Sequence, residues 1–144
     1  MQLQDVIARI GQHVSELSGR IREAEDYAAV LQMRGITSAQ GGAYVMPAGM
    51  RGGRVQAAVG AFVQDLDEVI AVVLLVPSGD RGLSRRGGSF FSLIHDVIQS
   101  LCGWVPDDSI GPFQLVRGAM INLGDGVLAY QIEFSVPAQL RIVP

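Results

Sequence analysis

One run limits the ways this chain can fold: from Gln56 to Val76 there is no proline and, apart from Gly60, no residue that signals a turn. Ordinary strands span roughly 3–10 residues. A stretch of this length therefore reads as a long strand that bends or bulges, with the acidic group Asp65-Leu-Asp-Glu68 as the expected break. Its halves differ. Ala61 to Leu66 puts Phe62 and Leu66 on one face with Gln64 between them, whereas Ile70 to Val76 is apolar on both faces. The second half belongs at the centre of a sheet covered above and below, and the first half is free to project from the body.

The remaining elements are arranged around that strand. Leu3, Val6, Ile7, Ile10, Val14 and Leu17 follow the i, i+3, i+4, i+7 spacing of a helix with one apolar stripe, with Gly19 as its left-handed stop. Arg20 to Glu25 fits a short strand, Asp26 to Met33 a short second helix stopped by Gly35, and Gly42 to Met46 a small buried strand ended by Pro47. Ala48 to Val55 combines three glycines with Arg51 and Arg54 and has no period, so a mobile loop is expected. Ser78 to Gly88, with Arg81, Arg85 and Arg86, reads as a second arginine loop. Ser89 is placed to cap a third helix whose stripe is Phe90, Ile94, Val97, Ile98 and Leu101, with Gly103 as its end. Phe113 to Leu123 and Val127 to Val136 form a C-terminal hairpin around Gly124-Asp-Gly126; Pro137 closes it, and Ala138 to Pro144 is left as a tail. The fold class is α/β in the α+β sense, a mixed and largely antiparallel sheet flanked by about three helices, in a single domain over residues 1–144.

Only 17% of the residues are charged, against roughly 25% in an ordinary globular protein, while 49% are apolar. The surplus either enlarges the core or is buried between subunits. No apolar run approaches the roughly 20 residues of a membrane span, and no leader pattern is expected at the N-terminus, which places the chain in a cytoplasm with no membrane partner. The net charge of -3 lacks the general basic footprint of a duplex-binding protein. All the basic side chains are arginine, which suits fixed bidentate contacts with carboxylates.

Catalytic and metal-binding patterns are missing. His95 and Asp96 are neighbours on a helix and point about 100° apart, so they are not an oriented pair. His13 flanks the stripe of the first helix. Cys102 is the only cysteine and fits a core-filling role at the end of the third helix. Two histidines in unrelated elements give no metal-ligand spacing, and neither glycine-rich loop matches a P-loop or dinucleotide fingerprint. The expectation is no enzyme, no cofactor, no metal and no catalytic residue. Asp65, Asp67 and Glu68 form the one acidic cluster, with Asp65 and Asp67 on one strand face. The cationic loops carrying Arg51, Arg54, Arg81, Arg85 and Arg86 would contact a nucleic-acid backbone, a neighbour's carboxylates, or nothing.

Taken with the first helix, the segments Gly42-Ala-Tyr-Val-Met-Pro47, Val72-Val-Leu-Leu-Val76, Leu101-Cys-Gly-Trp-Val-Pro106, Gly111-Pro-Phe113 and Tyr130-Gln-Ile-Glu-Phe134 give nearly the whole chain a resemblance to the tail terminator family of long-tailed bacteriophages, in the small form found in prophages and in lambda-like or Mu-like siphophages. The resemblance implies a homo-hexameric ring at the head-proximal end of the tail tube, assembled in the host bacterial cytoplasm and carried in the virion. Such a ring stops tube polymerisation and meets the head connector or neck protein. DNA would only pass through its lumen without sequence-specific binding. The resemblance brings no active-site residue. It makes Arg51, Arg54, Asp65, Asp67, Glu68, Arg81, Arg85 and Arg86 candidates for inter-subunit or lumen contacts. Two alternatives stay open. Another neck or tail-completion protein would share the fold and differ in its neighbours, and a small cytosolic enzyme or ligand-binding domain would need a deep pocket with convergent polar groups.

Overall fold

A computed structural model of the chain describes residues 2–26, 28–30, 41–58, 60–77, 90–122 and 127–143. A five-stranded sheet in the order β1-β2-β3-β5-β4 is built from β1 (Ile21–Glu23), β2 (Gly42–Ala58), β3 (Ala61–Pro77), β4 (Gln114–Asn122) and β5 (Val127–Ile142). β1 runs parallel to β2 and every other pair is antiparallel. Two helices, α1 (Leu3–His13) and α2 (Phe90–Leu101), pack against each other, and a short 3-10 turn over Ser15–Leu17 follows α1.

The sheet is dry on both sides at its centre, as the apolar run requires. Val72, Leu74 and Val76 of β3 point to the helices, with Val45, Ile132, Phe134 and Phe113 alongside Val6 and Ile10 of α1 and Leu93, Val97 and Leu101 of α2. The alternating residues Ala71, Val73 and Leu75 point the other way, with Tyr44, Met46 and Ala129 and with Ala24 and Val30. Burying a Val, Leu or Ile side chain fully is worth about 1.5–3 kcal/mol each, so this double-sided strand is the main stabilising element. Trp104 stacks on Phe113 at 5.2 Å between centroids, and Phe113 meets Phe134 edge-on at 6.2 Å. Arg9 joins the two helices. Its Nε donates to the Ser100 carbonyl at 2.9 Å, and its guanidinium lies 5.6 Å from the centre of the Trp104 ring.

Several boundaries differ from those expected. The run from Gln56 is divided by a turn at Gly60, which has φ +82, and β2 and β3 form a hairpin of two 17-residue strands. No break occurs at Asp65 to Glu68: β3 pairs with β5 without a shift from Phe62 to Pro77. The irregularities are in β2 instead, between Pro47 and Gly49 and between Gly52 and Val55. A bulge in β3 would disturb two ladders at once, whereas one in the outer strand disturbs a single ladder. The expected glycine-arginine loop is thus the outer half of β2, and Gly49, with φ +113, takes a backbone conformation that a side chain would strain.

Pro47 and Pro137 do not end their strands. β1 stops at the Glu23–Val45 pair, so β2 is already a sheet edge at Pro47. β4 likewise begins opposite Ser135, leaving β5 at an edge by Pro137, and edges tolerate a missing N–H. The expected tail from Ala138 is strand as far as Ile142. Other expectations hold. Ile21–Glu23 is a strand, Asp26 Oδ1 accepts from the Ala29 N–H at 2.9 Å at the start of a helical turn over residues 28–30, and Gly103 leaves α2 with φ +85. The rest of the second helix with Gly35, the 78–88 loop, Ser89 and the Gly124-Asp-Gly126 turn lie outside the described residues.

Gly118 lets Tyr130 lie across β4. A Cβ there would sit 2.7 Å from the Tyr130 Oη and 2.8 Å from its Cε1. Gly118→Ala is expected to displace the ring, weaken its edge contact with Phe90 and lower stability by about 1–3 kcal/mol, measured by urea denaturation.

Candidate functional site

Beyond the reach of the helices, β2, β3 and the end of β5 continue as a three-stranded arm. In an antiparallel ladder, residues directly opposite one another share a face, so the register assigns each arm residue to a side. On the helix side, Phe62, Gln64, Leu66 and Glu68 of β3 lie opposite Val55 and Met50 of β2 and Ile142, Leu140 and Ala138 of β5. None of them belongs to the helix-covered core. Exposure reaches 68% for Met50, 51% for Val55, 42% for Phe62, 40% for Leu140 and 51% for Ile142.

The opposite face is polar. Asp65 and Asp67 point there with Arg51, the register partner of Asp67, and with Gln56, Gln139 and Arg141. The Asp65 carboxylate links all three strands, accepting from Gln56 Nε2 at 3.0 Å and from Gln139 Nε2 at 3.3 Å. Val63 is the buried residue of this face, between its register partners Gln56 and Arg141. Two arginines and two aspartates share the surface, so its formal charges cancel.

The structure thus brings Arg51, Asp65 and Asp67 together and sends Glu68 to the apolar face. Arg54 stands in the second β2 irregularity, without a register partner in β3. Next to it Gly53 lets the strands approach closely, since a Cβ there would lie 3.0 Å from the Asp65 carbonyl oxygen. Arg81, Arg85 and Arg86 lie outside the described residues. The reading from sequence missed Gln56, Gln139 and Arg141, and with them the apolar set Met50, Val55, Leu140 and Ile142. A signal for part of this was present. Gln139-Leu-Arg-Ile142 alternates polar and apolar with a strand's period of two.

The other groups weighed from sequence are scattered. His13 places Nδ1 2.9 Å from the Arg9 carbonyl within its own helix, and His95 has Nε2 3.2 Å from the Gln99 amide; both are exposed. Among the described residues, no three His, Cys, Asp or Glu side chains gather as a metal site, and no helix is long and apolar enough to cross a membrane. Open depressions occur among the described residues. One of about 400 Å3 lies over β4 and β5, lined by Arg117, Met120, Gln131 and Glu133, where Arg117 and Glu133 approach to 3.9 Å. Another, of about 260 Å3, lies beside Asp5, Arg9, Trp104 and Asp107. Cys102 is partly buried at the end of α2, beside Phe113.

A family profile described as phage tail terminator protein matches residues 1–143. Among solved structures, a chain from the virion of a native gene transfer agent particle is similar at 11% identity and a TM-score of 0.49, over 93% of this chain and 94% of that one. No curated protein sequence matches significantly.

Burial pushes the Cys102 thiol above its usual value, and a backbone hydrogen bond from Leu115 offsets part of that shift. The folded chain therefore favours the neutral thiol. The resulting stabilisation is complete below the unfolded thiol's pKa and is lost as pH rises through the folded one. Iodoacetamide at mildly alkaline pH is expected to alkylate Cys102 more slowly in the native protein than in urea, as followed by intact mass.

Proposed function

Because the chain belongs to the phage tail terminator protein family, a family of structural virion proteins, we propose that it forms a homo-hexameric ring that caps the head-proximal end of the tail tube. The family match over residues 1–143 carries this reading. In it the whole chain works as one domain. One end of the ring covers the last tube subunits and stops further addition, and the other end presents the joint to the head connector.

The physical character of the chain supports such a role. A closed ring uses head-to-tail contacts, so each copy has to present two different surfaces. A chain with few charges and an arm apolar on one side and charged on the other has the material for both. Arg51, Asp65 and Asp67 are assigned to the lumen or to the rim between subunits. Opposite charges interspersed on such a surface, within a protein of net charge -3, would give a DNA backbone little to adhere to as it slides past. Arg54 and Glu68 are assigned to contacts between subunits, and Arg81, Arg85 and Arg86 to the same role or to the neighbouring neck protein.

Deleting the gene is expected to give overlong tails unattached to filled heads, counted by negative-stain electron microscopy, with the intact gene in trans restoring normal length. Tails of normal length joined to heads would count against the reading, and so would a ring of another symmetry in the assembled particle.

A further inference from the structure

We infer that the helix-side face of the arm is covered by a second copy of this chain, seated on the strip along that copy's β4 formed by Leu115 and Met120 with Leu128 of β5. The inference rests on the ring reading above and assigns its subunit contact. Four observations lead to it. First, the arm face carries Met50, Val55, Phe62, Leu66, Leu140 and Ile142, with Glu68 as the one charged group that the register places there, while Arg51, Arg141, Asp65 and Asp67 of the same strands point the other way. This separation by side suits a protein partner and gives a phosphate or a lipid headgroup no cation to bind.

Second, the chain has another uncovered apolar strip on the same side of the sheet. Leu115, Met120 and Leu128 are all exposed, and register places Leu115 opposite Phe134 and Met120 opposite Tyr130, both packed with the helix-side core. Both strips face the same way from one continuous sheet, so one copy cannot press its own two together. A copy on either side covers both. The tube, as the sole occupant of the arm, would leave the β4 strip open.

Third, the arm's outer edge is built against strand addition. Proline at 47, arginines at 51 and 54, and two register shifts all fall in the half of β2 that has no outer strand among the described residues, and the arm's other edge, β5 beyond its pairing with β4, carries Pro137 and Arg141. Contact therefore goes through the face of the arm. Fourth, the face is three strands wide, and Phe62 supplies an aromatic anchor near its tip.

The test uses the full chain in assembled tails. In a Cys102→Ser background, Met120→Cys combined with Leu140→Cys is expected to give a ladder of cross-linked multimers on a non-reducing gel. Ala119→Cys with Gln139→Cys, on the opposite side of the sheet, should give at least about tenfold less. Phe62→Glu with Leu140→Glu should keep the wild-type unfolding midpoint yet raise the concentration for half-assembly at least about tenfold. Gln12→Glu with Gln99→Glu, which adds the same charge at exposed positions of α1 and α2, should leave it unchanged. Rings that form normally from the Phe62→Glu, Leu140→Glu chain overturn the docking but leave the ring reading standing. Rings from that chain that fail only to cap tails also overturn it, and assign the arm face to the tube. A wild-type chain that forms no ring on tails overturns both.

Discussion

The architecture depends on β3 having neighbours in every direction. Its backbone is hydrogen-bonded to β2 on one side and β5 on the other along almost its full length, and its inner half is buried above and below. A strand held in this way cannot slip by one residue without sending Val72, Leu74 and Val76 to the wrong side. That rigidity fixes every other placement. It determines which side chains of β2 and β5 face the helices, and it carries the same alternation outward into the arm, whose residues lie outside the core that α1 and α2 cover. The two-faced character of the arm is the core pattern extended beyond the core.

How much of this was legible in the sequence depended on whether the signal was local. The stripes of α1 and α2 and the double-sided run from Ile70 could be read from spacing alone, because burial imposes the period directly. The two prolines misled, since a proline reads as a strand end unless the strand is already known to be at an edge. Edges are a property of strand order, which no short segment encodes. The glycine-arginine segment looked like a loop for a similar reason: its glycines serve bulges, and a bulge needs a partner strand to be defined. Arg51 and Asp67 are far enough apart that only the turn at Gly60 makes them opposite one another.

Several polar groups among the described residues hold the structure together. Arg9 clasps the end of α2, Asp65 ties three strands together, and the histidines bond within or along their own helices. Cys102 is kept neutral by its burial. What stands out at the surface is area and pattern, in keeping with membership of a phage tail terminator protein family.

The arm also imposes an order on synthesis. Its first two strands are adjacent in the chain, but the third is β5, whose Ile142 pairs with Phe62. All of α2 and β4 are translated between them. A nascent hairpin therefore emerges with one side of β3 unsatisfied and waits there for β5. The finished face with its Leu140 and Ile142 exists only once that late strand has docked. Until then a folding chain presents Met50, Val55 and Phe62 on two strands alone, a narrower surface than the completed one.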